Sequence, residues 1–211
     1  SMTMQAKKKI LFFGDSITQM GVKPGGYIAK MREMLDSQGL SSKYELLGSG
    51  IGGNKVYDLY LRMDDDVLAK NPDVVVVWIG VNDVWHKVSG TGTDADKFEK
   101  FYNAIIKKLQ AKNIKVIVAT PAAIGEKIDN TNQQDGDLNL YSNIIRKIAK
   151  EHKCDLVDLR NDFREYNKKY NLENKPSGIL STDGVHLSDA GNRFVAEKMM
   201  EVVLPGSKGV N

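Results

Sequence analysis

The feature that most constrains this chain is an alternation of short apolar runs with amphipathic stretches. Runs of strand length occur at Ile10–Phe13, Tyr44–Leu47, Val74–Ile79, Val116–Ala119 and Leu156–Leu159. Between them lie helical patterns near Tyr27–Gln38, Val56–Lys70, Lys97–Lys112, Asn139–Lys150 and Asp189–Val203. A run that is apolar at every position, rather than at every second one, marks a strand buried on both faces, as in parallel sheets. Strands and helices alternating at this rhythm build right-handed βαβ units. The expected fold class is therefore α/β, a three-layer α/β/α sandwich around a parallel sheet.

Local signals agree with that layout. Phe98, Phe101, Ile105 and Leu109 recur at three- and four-residue intervals, and so do Phe194, Val195, Met199 and Val202, which predicts two core-facing helical stripes. Asn71-Pro72-Asp73 breaks the second pattern from the third strand, because the residue before a proline is pushed out of helical geometry. A chain of 211 residues buries roughly 70% of its unfolded surface, so one domain needs no metal or disulfide to hold it. The expected domain spans 9–205, with a flexible lead-in at 1–8 and a flexible tail at 206–211.

Charge and composition exclude several partners. Thirty basic residues against 27 acidic ones leave a net charge of +3, too little for a nucleic-acid or anionic-membrane surface. Lys7-Lys8-Lys9 is the one compact basic run, read as a solvated approach to the first strand. No apolar run is long enough to span a bilayer. With Cys154 as the single cysteine, no intrachain disulfide can form, and a packing role is expected for it. Ala6 before the lysines suits the end of a removed signal peptide as well as a cytosolic start, and export is the expectation adopted.

Four short stretches carry candidate chemistry. The first is Gly14-Asp15-Ser16-Ile17-Thr18, which places Ser16 just past the carboxyl end of the first strand, where open α/β sheets bind ligands. Asp15 and Ser16 could equally turn the chain and cap a helix. The second, Gly48-Ser49-Gly50-Ile51-Gly52-Gly53-Asn54, can turn backbone N–H groups towards a ligand. Its spacing fits neither a dinucleotide fingerprint nor a phosphate-binding P-loop. The third, Gly80-Val81-Asn82-Asp83, ends the third strand and can aim an Asn amide over the sheet. In the fourth, Asp183-Gly184-Val185-His186, a carboxylate three residues before a histidine can hold its ring N–H and fix its tautomer. Two long connections, Asp83–Asp94 and Pro121 to about Asp137, are expected to wall a pocket beside Ser16.

Taken in this order on an α/β pattern, the four blocks resemble the SGNH, or GDSL-type, hydrolases. The wording around Gly14–Gln19 and Ser181–Ser188 is most similar to small esterases of the isoamyl-acetate-hydrolysing type. The resemblance implies a five-stranded sheet in flavodoxin-like order, 2-1-3-4-5. It implies Ser16 as nucleophile, His186 as general base and Asp183 as the group orienting His186. It implies an oxyanion hole made of the Ser16 N–H, the Gly53 N–H and the Asn82 amide. The family starts its Gly-rich block with an Asn where this chain has Gly48, so Gly50 stays a second candidate for the backbone donor. Asp15, Val81, Trp85 and His86 are expected at the substrate side of the site, although a structural role also suits Asp15 and His86. His152 is given no function.

Such a protein would hydrolyse carboxylic esters through an acyl-Ser16 intermediate, without a metal or organic cofactor. Short polar loops around Asn132, Gln133 and Gln134 suit a small, acetyl-sized acyl group on a hydrophilic alcohol such as a sugar. The expected partner is thus a small ester substrate, with acetylated carbohydrate the first choice. Lysophospholipid or thioester hydrolysis would use the same machinery. A flavodoxin-like binding module, gripping an anion with Asp15 and the Gly-rich loop, would leave Asn82, Asp183 and His186 without a task.

Overall fold

A computed structural model describes residues 6–207. Most of the expected lead-in, the possible signal remnant and the end of the tail lie outside them, while Lys8 already belongs to the first strand. In chain order the elements are β1 (Lys8–Gly14), α1 (Ser16–Gly21), α2 (Tyr27–Ser37), β2 (Tyr44–Gly50), α3 (Val56–Leu61), α4 (Met63–Asp66), β3 (Val74–Trp78), α5 (Val81–Trp85), α6 (Ala95–Gln110), β4 (Lys115–Ala119), α7 (Asp135–His152), β5 (Asp155–Val157), α8 (Leu159–Tyr170) and α9 (Asp189–Val203). All strand pairs are parallel, and the sheet order is β2-β1-β3-β4-β5, as the family resemblance implied.

The run of apolar residues in β1 works as the sequence suggests. Ile10 and Phe12 point into one core and Leu11 and Phe13 into the other, and all four are essentially buried. The valines of β3 divide in the same way, Val74 and Val76 to one side, Val75 and Val77 to the other. Helices α2, α8 and α9 cover the first face, and α3, α4, α6 and α7 cover the second. Both faces of the inner strands are covered along residues 10–14 and Val74–Trp78, so a polar interruption there would be costly, while the edge strands β2 and β5 stay partly exposed. Among the described residues no helix is long and apolar enough to cross a membrane.

Four local expectations need correction. The pattern Val56–Lys70 is not one helix: it breaks at Arg62, whose side chain turns inward to the carbonyls of Gly14 (2.9 Å) and Ser49 (3.1 Å). The last strand stops at Val157, because Asp158 caps α8 by accepting from the Asn161 N–H, so Leu159 begins a helix the apolar count had merged into the strand. Strand β2 runs on to Gly50, which makes Gly48-Ser49-Gly50 strand rather than loop. The Asp83–Asp94 connection is mostly helical, with α5 followed by a 3₁₀ turn over His86–Ser89. In α9 the buried face is Val195, Ala196, Met199, Met200 and Val203, with Phe194 and Val202 only partly covered.

The sheet order has a functional consequence. From β1 the chain crosses to β2 on one side, then returns to place β3 on the other. The carboxyl ends of β1 and β3 therefore flank a crevice at the point where the winding reverses. Ser16 lies at the end of one, and Asn82 at the end of the other.

Candidate active site

Asp15 bends the chain out of β1. It is the N-cap of α1, its carboxylate accepting from the Ile17 N–H at 3.0 Å. Ser16 is thus the first residue of a helix, with its N–H among the donors that a helix start leaves without an intrahelical partner. Its hydroxyl points away from the sheet and meets a ring from 170 positions along the chain: Ser16 Oγ lies 3.1 Å from His186 Nε2.

His186 is held from several directions. Its Nδ1 is 2.6 Å from Asp183 Oδ2, while Asp183 Oδ1 accepts from the backbone N–H groups of Val185 (2.9 Å) and His186 (2.7 Å). Burial alone would raise the Asp183 pKa, but hydrogen bonds from the His186 ring and from those two amides outweigh it and hold the carboxyl below its ordinary value. An ionised Asp183 fixes the proton on Nδ1 and leaves Nε2 free to accept from Ser16. Trp85 sets its ring edge-on to the imidazole, centroids 6.0 Å apart.

The amide donors gather on the opposite side. Asn82, in the first turn of α5, is 4% exposed, and its Nδ2 donates to the Asn54 carbonyl at 3.1 Å, which leaves one N–H of the amide for a ligand. The two glycine candidates differ in what surrounds them. Gly50 closes β2 against α1, where a Cβ would sit 2.2 Å from the Gln19 nitrogen and 2.6 Å from the Asp15 carbonyl oxygen. That residue is a packing glycine. Gly53 has φ +77° and open space around its would-be Cβ, so its backbone conformation, not crowding, calls for glycine. The neighbouring Gly52 N–H donates to Gln19 Oε1 at 2.8 Å, tying the loop back to α1.

The residues expected at the substrate side do not all reach it. Asp15 and Val81 are only 3% and 5% exposed and present almost no surface. Trp85 and His86 are half-buried, their rings 5.9 Å apart, and border the crevice. Burial pushes the Asp15 pKa up to about 7, with the Asp83 carboxylate adding to the effect against the Ile17 N–H. Asp83, also buried, is raised to about 6. An open groove of about 620 Å³ begins at His186 and runs between Met20, Pro24, Gly25, Leu187 and Asn192. The remaining histidine and the cysteine lie elsewhere. His152 Nε2 pairs with Asn103 Oδ1 at 2.7 Å, and burial raises Cys154 to about 11, which keeps it a thiol.

Two residues that support this arrangement escaped the motif search. Arg62 ties three pieces of the crevice together: besides its two carbonyls, its Nε donates to Asn54 Oδ1 at 2.8 Å. Glu126, 2% exposed, takes hydrogen bonds from the segment leading to Asp183. Neither stands in a recognisable spacing, and the break in the helix at Arg62 appears only in the structure.

A hydroxyl, an imidazole and a carboxylate in hydrogen-bonded line, facing amide donors at the switch point of a parallel sheet, define an acyl-transfer hydrolase of the serine type. Comparison with known proteins narrows the class. Residues 12–194 match the model of the GDSL-like Lipase/Acylhydrolase family, and the chain belongs to that family and is a carboxylic ester hydrolase. An acetylxylan esterase from Geobacillus stearothermophilus is 28% identical, over 96% of each chain. An isoamyl acetate-hydrolyzing esterase 1 homolog from Mus musculus is 24% identical, over 89% of this chain and 78% of its own. Among solved structures, the acetyl xylan esterase AlAXEase superposes with a TM-score of 0.91 at 68% identity, covering 92% of this chain and 98% of that one.

Proposed function

We propose that this enzyme removes acetyl groups from carbohydrate esters of the acetylated-xylan kind through an acyl-Ser16 intermediate. The observation that carries the reading is the unbroken contact series Ser16 Oγ–His186 Nε2–Asp183, at 3.1 and 2.6 Å. His186 takes the hydroxyl proton as Ser16 attacks the ester carbonyl, and Asp183 stabilises the imidazolium that forms. The negative charge on the carbonyl oxygen is received by the Ser16 and Gly53 N–H groups and the Asn82 amide. His186 then passes its proton to the departing alkoxide. Water repeats the sequence on the acyl-enzyme, giving acetate and free serine.

The proposed mechanism also bears on which side the alcohol occupies. The leaving oxygen must approach His186 Nε2, so the alcohol extends from the histidine and not from the amide donors. The groove that begins at His186 is the surface we assign to it, with Met20, Pro24 and Leu187 forming an apolar wall and Lys23, Thr182 and Asn192 supplying polar groups. A sugar ring, with C–H faces and hydroxyl edges, matches such a surface. His186 and Asp183 keep 39% and 47% of their side-chain surface exposed, so a substrate longer than one ring has room to approach. The acetylxylan esterase names of the relatives support the same substrate class.

The test compares wild type with Ser16→Ala on p-nitrophenyl acetate and on acetylated xylo-oligosaccharides, following acetate release. The alanine variant is expected to keep its melting temperature and lose at least about a thousandfold in kcat. Undiminished turnover would remove Ser16 from the mechanism, and faster cleavage of octanoyl than of acetyl esters would overturn the small-acyl reading.

A further inference from the structure

We propose that Glu126 is a positioning residue for the reaction, acting through the loop that carries Asp183 and His186 and touching no substrate. The proposal rests on the triad assigned above. Glu126 sits in the crossing between β4 and α7, and both of its carboxylate oxygens are consumed by hydrogen bonds. Oε1 accepts from the Leu180 N–H at 2.7 Å and from Asn167 Nδ2 at 3.4 Å. Oε2 accepts from the Ile179 N–H (3.1 Å), the Ser181 N–H (3.2 Å) and the Ser181 hydroxyl (2.6 Å). Three successive amides therefore converge on one carboxylate, which forms an anion nest built into the chain.

The rest of the crossing reinforces the clamp. Glu126 N–H donates to the Pro176 carbonyl and Gly125 N–H to the Gly184 carbonyl, both at 2.9 Å. The Glu126 carbonyl accepts from Asn171 Nδ2 at 2.8 Å. Among the described residues no Lys, Arg or His nitrogen lies within ion-pair distance of the buried carboxylate. A buried carboxylate without a counter-cation is costly unless every lone pair is used, and here the neutral donors do that work. A hydrophobic side chain could anchor a loop. It could not fix the direction of three consecutive N–H groups.

Direction is what the triad requires. Ser181 hands the constraint onwards: its hydroxyl donates to Glu126 and accepts from the Gly184 N–H at 2.9 Å. Thr182 N–H then meets the His186 carbonyl at 2.9 Å, and Ser188 N–H meets the Leu180 carbonyl at 3.0 Å, closing residues 180–188 into a bracket around Asp183. Ser188 caps α9 at the far end, accepting from Gly191 N–H at 3.1 Å. With Glu126 at one end and α9 at the other, the bracket has no freedom to carry His186 away from Ser16.

The experiment is Glu126→Gln, with Ser181→Ala as a milder second variant that keeps the backbone contacts and loses the hydroxyl's bond to Glu126 together with its acceptance from the Gly184 N–H. Glutamine keeps one acceptor oxygen and sets an NH₂ group against the donors of the other, so half of the nest and the negative charge are lost while side-chain volume is kept. In Glu126→Gln, kcat on p-nitrophenyl acetate should fall at least about thirtyfold with KM within about threefold, and in Ser181→Ala about five- to tenfold. A downfield proton resonance is expected from the 2.6 Å Asp183–His186 bond in wild type and in Ser16→Ala, and it should shift or broaden in both variants. If Glu126→Gln cannot be purified folded, Ser181→Ala decides by the same two readouts. A lowered melting temperature with kcat and the downfield resonance unchanged would reduce Glu126 to a structural role and overturn the proposal. Failure of Ser16→Ala to lose activity would instead strike the triad assignment itself, so the two failures are distinguishable.

Discussion

Replacing Asn82 by Ala separates the catalytic from the structural use of one side chain, because the two differ in size. The structural loss is a single neutral hydrogen bond, Asn82 Nδ2 to the Asn54 carbonyl at 3.1 Å. That is worth about 1 kcal/mol, a fall of roughly 2–4 °C in melting temperature for a domain of this length. With native stability typically about 5–15 kcal/mol, the variant stays folded at 25 °C. In the proposed mechanism the catalytic loss is one of three donors to the oxyanion, which costs on the order of 3 kcal/mol and about a hundredfold or more in kcat. Because that charge exists only in the transition state, KM should move little. Steady-state kinetics on p-nitrophenyl acetate beside thermal melts of the same preparation read both quantities. A kcat within threefold of wild type, or a loss residing wholly in KM, would remove Asn82 from the oxyanion hole.

Two further substitutions test the frame around the site. Gly50→Ala would drive a methyl to within 2.2 Å of the Gln19 nitrogen and should abolish or severely lower folding yield, whereas Gly53→Ala meets nothing within 4 Å and should cost only about 1 kcal/mol of backbone strain in denaturant titration; equal stability losses would contradict the packing role given to Gly50. Asp15 concerns pH. Burial pushes its carboxyl in the folded state from the ordinary carboxylate range up to about 7, so between those two values the folded state holds a proton the unfolded chain has released, and the stability present at low pH is lost as pH rises to about 7. Asp15→Asn keeps an N-capping oxygen and removes the titration. Relative to wild type it should gain on the order of a few kcal/mol between pH 4 and pH 8 in urea unfolding, and parallel pH curves would refute the assignment.

How much of this was legible in the sequence follows from the range of the interactions. Strands β1 and β3 announce themselves because both faces are buried, so Ile10–Phe13 and Val74–Trp78 are apolar at every position. The boundary between strand β5 and helix α8 is not legible from apolar runs because it depends on a cap: Asp158 accepts from the Asn161 N–H and makes Leu159 the start of a helix instead of the end of a strand. The spacing Leu159, Phe163, Tyr166, Tyr170 did carry a helical period. The segment Val56–Lys70 reads as a continuous helix, and it breaks because Arg62 is more useful to the carbonyls of Gly14 and Ser49 than to a solvated helix face.

The same reasoning divides the site itself. Ser16, Asn82, Asp183 and His186 lie at element ends, each beside glycines that mark the turn, so chemistry and punctuation coincide in the sequence. Glu126 and Arg62 have no such company. Each acts across 48 to 55 residues on backbone atoms, and a backbone N–H or carbonyl has no letter in a sequence. Side chains that bind side chains leave two residues to match; side chains that bind the main chain leave one, and one acidic residue in a polar loop looks like any other. The hydrolase motif could therefore be read from the chain as written, while the groups that keep its members 3.1 Å apart became visible only when the chain was folded. It follows that motif conservation by itself cannot certify an active member of this family. A sequence with all five proposed triad and oxyanion residues intact, but with a non-acidic residue in place of Glu126, should show a loosened Asp183–His186 loop and a lowered kcat.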